Sequence, residues 1–189
     1  MKAIWFDMDG VMAGLYDVEN WLDYLLASDP YPYKVARPLI NMSLLARLLN
    51  RLQADGYYIG IVSWLSKNGT VEYNEAVTKA KMAWLNKHLH SVHWDEIVII
   101  PYGTPKHEAV SVEGILFDDE EHNRKAWNGI AYDETKIFEI LKGLVWPLRY
   151  YLDVLRLNVS GKVLDFLIYI CYNVDTTKWK ETYTKWKKS

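Results

Sequence analysis

KAIWFDMDGV, residues 2–11, decides how the rest of the chain is interpreted. Its first half is an apolar run, which is typical of a strand buried in a parallel sheet. The run ends at Asp7, and Asp9 follows two residues later. We expect the strand to place both carboxylates at its carboxyl end, where ligands collect in open α/β sheets.

Strands and helices alternate downstream of this stretch. Apolar runs predict strands at 57–63, 96–100, 114–117 and 129–133. Helical spacing predicts helices at 17–27, 39–54, 71–90, 121–127 and 134–144. Three prolines predict an irregular loop over 28–38 (SDPYPYKVARP). The alternation favours an α/β fold, a Rossmann-like three-layer sandwich around a central, mostly parallel sheet.

The alternation stops at Pro147, which suggests two parts. We predict an α/β core over 1–146, with a small cap inserted after the first strand at about 12–38. Residues 147–189 are predicted to be a helical C-terminal appendage, with helices at 148–157, 161–172 and 176–187. Aromatic residues alternate with lysines in the last of these. This pattern favours packing on the core or a second copy over contact with nucleic acid or lipid.

Composition narrows the class of protein. The 189 residues carry a formal net charge of -2, so no global field attracts nucleic acid or anionic membranes. The lone Cys171 fits a reducing compartment, and the longest apolar run is too short to cross a bilayer. No signal peptide is recognisable, and we expect a cytoplasmic protein without membrane contact.

Polar residues follow each predicted strand and are expected to meet in one crevice. They are Asp7 and Asp9, Ser63, Thr104 and Lys106, and Asp118 and Asp119 with Asn123 one helical turn later. Any one of them has a bland explanation as a turn, a helix cap or a solvated charge. Their arrangement, each group at the end of a separate predicted strand, favours a functional site.

The residue types fit phosphoryl transfer. Crowded carboxylates repel one another unless a cation joins them, and oxygen ligands favour Mg²⁺. One carboxylate can then attack phosphorus, a second acid can exchange protons with the leaving group and water, and a hydroxyl and an ammonium group can hold phosphoryl oxygens. Asp7, Asp9, Ser63 and Lys106 supply these groups.

Four segments resemble the signatures of the haloacid dehalogenase-like hydrolase superfamily. FDMDGV resembles the first motif, Asp-x-Asp-Gly-[Thr/Val], and YIGIVS the second, a strand ending in Ser or Thr. The lysine of YGTPK fits the third, and GILFDDEEHN resembles the fourth, an acidic pair closing a strand. The first motif is fairly specific, and the ordered set spans residues 3 to about 142.

The resemblance implies a role for each matching residue. Asp7 would be the nucleophile and a Mg²⁺ ligand, and Asp9 the general acid/base whose backbone carbonyl also binds the metal. Ser63, Lys106 and Gly10 would bind the phosphoryl group. Asp119 would be the preferred further metal ligand and Asp118 the second choice. Asn123 departs from the pattern, since many members carry a second acid there.

The resemblance also ranks the reactions and substrates. An acid two residues after the nucleophile is typical of phosphatases and phosphomutases, whereas dehalogenases lack it and transport ATPases carry Thr. DMDGVMA is similar to the start of the 5'(3')-deoxyribonucleotidase branch, which implies a small phosphorylated substrate such as a nucleotide monophosphate. Two alternatives remain: a phosphatase acting on nucleic-acid ends, and a non-catalytic binding module of the same fold. The sequence does not indicate an oligomeric state.

Overall fold

The structure is a computed structural model and describes residues 2–145. Its strands are β1 (Ala3–Phe6), β2 (Ala13–Gly14), β3 (Arg37–Pro38), β4 (Tyr58–Trp64), β5 (Glu96–Ile100), β6 (Gly114–Phe117) and β7 (Ala131–Tyr132). Its helices are α1 (Trp21–Leu26), α2 (Tyr31–Val35), α3 (Met42–Ala54), α4 (Val71–Leu89), α5 (Lys106–Ala109), α6 (Glu121–Ala126) and α7 (Ile137–Val145). Single 3-10 turns lie at Leu15–Asp17 and Glu134–Lys136.

Five strands form the central sheet in the order β5-β4-β1-β6-β7, and all neighbouring pairs are parallel. β1 lies in the middle, with Ile4 opposite Ile59 of β4 on one side and Ile115 of β6 on the other. All four residues of β1 are buried. The predicted α/β class, with a parallel sheet and flanking helices, is confirmed.

The helix that leads into β4 begins later than its apolar pattern predicts. α3 starts at Met42 instead of residue 39, because the Asn41 side chain accepts a hydrogen bond from the Leu44 amide (2.9 Å) and caps the helix there. The buried side chains of α3 are Leu45, Leu48, Leu49 and Leu52. This leucine stripe packs α3 into the core just ahead of β4.

The segment between β1 and α3 is a small insertion containing α1 and α2, and β2 and β3 pair antiparallel at its base. The prediction of an irregular loop over 28–38 is wrong, since α2 forms at Tyr31–Val35. Pro30 is the N-cap residue and Pro32 stands in the first turn, where backbone N–H groups have no partner within the helix. Two of the three prolines therefore start this helix rather than prevent it.

The C-terminal predictions lie largely beyond the described residues. The chain divides into two compact units after Phe138, and the sheet and the insertion both belong to the first unit. The boundary at residue 146 stays a prediction, and the helices predicted at 148–157, 161–172 and 176–187 lie outside the described residues. Within residues 2–145, no helix combines the length and the apolar character that crossing a bilayer requires.

Candidate active site

The carboxyl ends of three neighbouring strands bring the predicted residues together. Asp7 follows β1, Ser63 lies at the end of β4, and Asp118 follows β6. Lys106, the first residue of α5, bridges two of these strands, because its Nζ lies 2.8 Å from Asp7 Oδ2 and 2.6 Å from Asp118 Oδ2. Lys106 is 3% exposed, so both ion pairs are shielded from solvent.

Asp7, Asp118 and Asp119 form an acidic cluster in which one oxygen from each carboxylate lies within 4.8 Å of the others. Asp118 is fully buried and already saturated: it accepts hydrogen bonds from Lys106, from the Glu120 amide (2.9 Å) and from Asn123 Nδ2 (3.2 Å). These donors engage both of its oxygens, and its role as a metal ligand stays a prediction. Asn123, which departs from the pattern of the superfamily that the sequence resembles, serves here as a donor to Asp118.

Asp119 has the opposite character. Its Oδ1 is buried and has no hydrogen-bond partner in the described part of the chain. Burial and the nearby charges of Asp7 and Asp118 raise the pKa of Asp119 to about 7. A carboxylate oxygen that is buried, unpaired and crowded by other acids suits a divalent cation, so Asp7 and Asp119 fit the predicted metal site.

Gly10 allows Asp119 to approach the β1 loop. A Cβ at Gly10 would lie 2.2 Å from Asp119 Oδ2, and the residue has a φ of +74°, in the left-handed region. The Gly10 amide donates to the Ala13 carbonyl (3.0 Å) within the same loop. These contacts connect Gly10 with Asp119, and its phosphate-binding role stays a prediction.

Lys81 is a residue of the site that the sequence analysis missed. It lies in α4, is 1% exposed, and donates from Nζ to Asp9 Oδ2 (2.7 Å), Ser63 Oγ (2.8 Å) and the Trp64 carbonyl (2.7 Å). The sequence contained a signal for it. Residue 81 falls on the same helical stripe as the buried Val77 and Leu85, and a lysine in an apolar stripe is rarely buried without a partner.

Burial and the two lysines shift the pKa values of Asp7 and Asp9 in opposite directions. Burial raises the pKa of Asp7, but the charges of Lys106 and Lys81 outweigh burial and hold it below its ordinary value. Asp9 shifts the other way: burial, reinforced by the Asp7 charge, raises its pKa despite the Lys81 contact. Neighbouring acids with pKa values pushed apart suit a nucleophile and a proton donor.

Aromatic rings surround the site. The Trp64 ring centroid lies 5.1 Å from Lys106 Nζ, and the indole Nε1 donates to the Thr104 carbonyl (2.8 Å), which fixes the ring. Tyr102 and His122 lie against Trp64, with ring centroids 4.8 Å and 5.5 Å away. Tyr102 is 48% exposed. These three residues, the Trp64 cluster, give the crevice an aromatic edge beside Lys106.

The insertion contributes a second aromatic group. Burial and the charges of Asp9 and Asp119 raise the pKa of Tyr16, so its hydroxyl stays neutral. Tyr33 is buried, and Lys81 Nζ lies 5.4 Å from its ring centroid. Tyr33 belongs to a hydrophobic cluster with Leu15 and Val77, which makes it a wall of the site rather than an exposed stacking surface.

No family model and no curated protein matches the chain. Among solved structures, it is similar to D,D-heptose 1,7-bisphosphate phosphatase from Burkholderia thailandensis (14% identity, 67% of this chain, 71% of that chain, TM-score 0.41). It is also similar to the B. bronchiseptica enzyme of the same name complexed with magnesium and phosphate (17% identity, 67% of this chain, 74% of that chain, TM-score 0.41). A third similar structure is that of the Pnkp1/Rnl/Hen1 complex (17% identity, 70% of this chain, 44% of that chain, TM-score 0.45).

Proposed function

We propose that this chain is a Mg²⁺-dependent phosphohydrolase of the haloacid dehalogenase-like type, which cleaves a phosphate monoester through an aspartyl-phosphate on Asp7. One observation carries the proposal. A buried carboxylate, held ionised by Lys106 at 2.8 Å, lies in a cluster with an unpaired buried Asp119 oxygen. An activated carboxylate nucleophile beside further carboxylate oxygens that could hold a divalent cation suits phosphoryl transfer.

The proposed reaction has two half-reactions. The Asp7 carboxylate attacks phosphorus in line, the bond from phosphorus to the leaving oxygen breaks, and Asp9 donates its proton to that oxygen. Water then attacks the aspartyl-phosphate, gives its proton to Asp9 and releases phosphate, which restores both carboxyl groups. Lys106 and the Ser63 hydroxyl hold the phosphoryl oxygens throughout.

Asp7, Asp119 and the backbone carbonyl of Asp9 are the proposed Mg²⁺ ligands. The bound ion would neutralise charge on the phosphoryl group, which otherwise repels a carboxylate nucleophile. Asp118 was the second choice from sequence. Asp118 accepts hydrogen bonds from Lys106, Asn123 and the Glu120 amide. These contacts favour a role in which Asp118 holds Lys106 in place rather than binding the metal.

The finer proposal concerns the substrate, which we take to be a nucleoside monophosphate. The support is the Trp64 cluster, since its partly exposed rings lie beside the ammonium group that would bind the phosphate. A planar base can stack on such rings, whereas an alkyl phosphate gains little from them. Both 5' and 3' monophosphates are candidates.

The test is a phosphatase assay with Asp7→Asn, which keeps the shape of the side chain and removes the nucleophile. We expect the wild type to hydrolyse p-nitrophenyl phosphate only with Mg²⁺ and Asp7→Asn to lose all measurable turnover. Asp55→Asn is the matched control, because Asp55 caps α3 ahead of β4, at the end of the sheet away from the site. Turnover retained by Asp7→Asn would exclude Asp7 as nucleophile.

A substrate panel separates the remaining functions. Nucleoside monophosphates should exceed glycerol phosphate in kcat/KM, and phosphorylated oligonucleotides should be no better than mononucleotides. Higher activity on oligonucleotides would instead favour the nucleic-acid end phosphatase. No Mg²⁺-dependent turnover on any monoester, with a folded wild type, would favour the non-catalytic binding module.

A further inference from the structure

Lys81 is a buried cation for which the reaction proposed above has no assigned use. It is 1% exposed in the middle of α4, and its neighbours on the buried stripe, Val77 and Leu85, are apolar. Replacing a buried ion pair by well-packed apolar groups is often neutral or stabilising. Stability of the fold therefore does not account for a lysine at this position.

The ammonium group has three protons and three acceptors. Nζ donates to Asp9 Oδ2, Ser63 Oγ and the Trp64 carbonyl, at 2.7, 2.8 and 2.7 Å. The Trp64 carbonyl belongs to the backbone of β4, so that bond holds Nζ against a rigid element. The Tyr33 ring, 5.4 Å from Nζ, covers the cation from the side of the insertion. Lys81 is thus fixed at its tip as well as along its stem.

This fixed ammonium group constrains Asp9. Lys81 engages Oδ2, which sets the rotation of the carboxyl group and leaves Oδ1 to exchange a proton with a substrate oxygen. The Asp9 side chain is 14% exposed, so one edge of it faces the crevice. General acid catalysis requires the donor to be within hydrogen-bond reach of the leaving oxygen, and a freely rotating carboxyl group would meet this condition only part of the time.

The same ammonium group orients the Ser63 hydroxyl. The Ser63 oxygen accepts from Lys81, so the hydroxyl proton must point away from Nζ. The proton is directed at the Asp7 carboxylate, to which Ser63 makes a side-chain hydrogen bond. It therefore lies beside the proposed nucleophile, where a phosphoryl oxygen is proposed to bind. The Lys81 ammonium group on α4 therefore contacts both Asp9, the proton donor on the loop after β1, and Ser63, the phosphate-binding hydroxyl at the end of β4.

We propose that Lys81 is a positioning residue for phosphoryl transfer, which acts by fixing the Asp9 carboxyl group and the Ser63 hydroxyl in their working orientations. This inference rests on the proposed function. It differs from the role of Lys106, which contacts Asp7 and is expected to touch the phosphoryl group itself.

The test compares leaving groups in Lys81→Met, which keeps most of the side-chain length and removes the ammonium group. 2,4-Dinitrophenolate departs without a proton, whereas an alkoxide needs one from Asp9. We expect kcat/KM, which reports only the steps up to the aspartyl-phosphate, to fall about 100-fold with an alkyl phosphate and about 10-fold or less with 2,4-dinitrophenyl phosphate, within the range of general acid catalysis. Where hydrolysis of the aspartyl-phosphate limits kcat, kcat should fall equally for both esters, because Asp9 is then the base for water.

Lys79→Met is the matched control. Lys79 lies on the exposed face of the same helix, with its side chain 80% exposed, and should behave as the wild type. A second check is the double variant Asp9→Asn/Lys81→Met, which should be slower than Asp9→Asn alone only by the loss that acts through Ser63, about 10-fold or less, because the contribution through Asp9 is already gone. Equal losses of kcat/KM for both leaving groups, or fully additive losses, would overturn the inference.

Two further outcomes are distinguishable. If the wild type hydrolyses neither ester with Mg²⁺, the proposed function fails and this inference fails with it. If Lys81→Met does not fold, Lys81→Gln retains an amide donor for Asp9 or Ser63, and the same preferential loss on the alkyl ester is expected at smaller amplitude. Wild-type kcat/KM for both esters in folded Lys81→Gln would contradict a positioning role.

Discussion

At the scale of single residues, Gly10 determines how close Asp119 can come to the loop after β1. Its φ of +74° and the 2.2 Å distance from a built Cβ to Asp119 Oδ2 are two separate constraints. The first is a backbone cost that any other residue would meet. The second displaces a proposed metal ligand, so Gly10→Ala should affect metal binding as well as stability.

Gly56→Ala separates the two effects. Gly56 has a φ of +83° and nothing within 4 Å of a built Cβ, so it carries the backbone cost alone. We expect each variant to lose roughly 1–2 kcal/mol of unfolding free energy in chemical denaturation. The Mg²⁺ concentration for half-maximal phosphatase activity should rise at least 10-fold in Gly10→Ala and stay unchanged in Gly56→Ala. An unchanged Mg²⁺ requirement in Gly10→Ala would contradict the proposed role of Asp119.

The sequence predicts those site residues that lie at the ends of predicted strands. Asp7, Ser63 and Asp118 follow three neighbouring parallel strands, so the topology alone brings them to one edge. Lys81 reaches the same place from the side of a helix, and strand order carries no information about it. The preference for Asp119 over Asp118 came from the resemblance and stays a prediction; the hydrogen-bond donors around Asp118, which depend on other elements, are what the sequence does not reveal.

At the scale of elements, the insertion shows where local patterns are insufficient. The predicted loop over 28–38 contains α2, because the effect of a proline depends on its position within a helical turn. Helix α2 has five residues, too few to be stable alone, and it packs against α4. The structure of the insertion thus depends on tertiary contacts that composition does not reveal.

Trp84 of α4 anchors the end of α2. Its Nε1 donates to the buried Ala36 carbonyl (2.7 Å), the residue that ends the helix. Trp84→Phe leaves that carbonyl unpaired, which should cost about 1–3 kcal/mol of unfolding free energy. We expect limited proteolysis to cleave the insertion, residues 12–38, faster than in the wild type.

Trp127→Phe is the control for this prediction. Its indole also donates to a backbone carbonyl, that of Gly114 at 2.8 Å, but on β6 and away from the insertion. A similar loss of unfolding free energy is expected there, with wild-type cleavage rates in the insertion. Equal rates in the two variants would show that the Ala36 bond does not hold α2 in place.

At the scale of the whole molecule, the site concentrates charge that the fold alone does not balance. Four carboxylates, of Asp7, Asp9, Asp118 and Asp119, face two ammonium groups, of Lys81 and Lys106. With all six groups ionised, the excess is two negative charges, which a divalent cation would cancel. The metal-free protein should therefore be less stable than the metal-bound one by an amount that depends on pH.

The direction in which the free energy of unfolding changes with pH follows from the pKa of Asp119. Its pKa is about 7 in the folded state and 3.8 for an unperturbed Asp, so between these pH values the folded state holds a proton that the unfolded state has released. The free energy of unfolding therefore falls as pH rises from about 4 to about 7, and this contribution is constant above. Asp9 and Asp118, whose pKa values are also raised, act in the same direction.

Asp119→Asn tests this charge balance through thermal unfolding. In EDTA at pH 7.5 the variant should have a higher Tm than the wild type, because the amide removes the repulsion. Added Mg²⁺ should raise the Tm of the wild type and leave that of Asp119→Asn unchanged. At a hundredfold excess of Mg²⁺ over Kd, the free energy of unfolding of the wild type should increase by about 2.7 kcal/mol. Asp118→Asn should instead lower the Tm in EDTA, because one amide oxygen cannot accept from both Lys106 and the Glu120 amide, and an unmet buried donor costs about 1–3 kcal/mol. Two results would show that Asp119 is held by contacts of the fold and is not a metal ligand. One is a Tm for Asp119→Asn below that of the wild type in EDTA. The other is a rise in the Tm of Asp119→Asn with Mg²⁺ as large as that of the wild type.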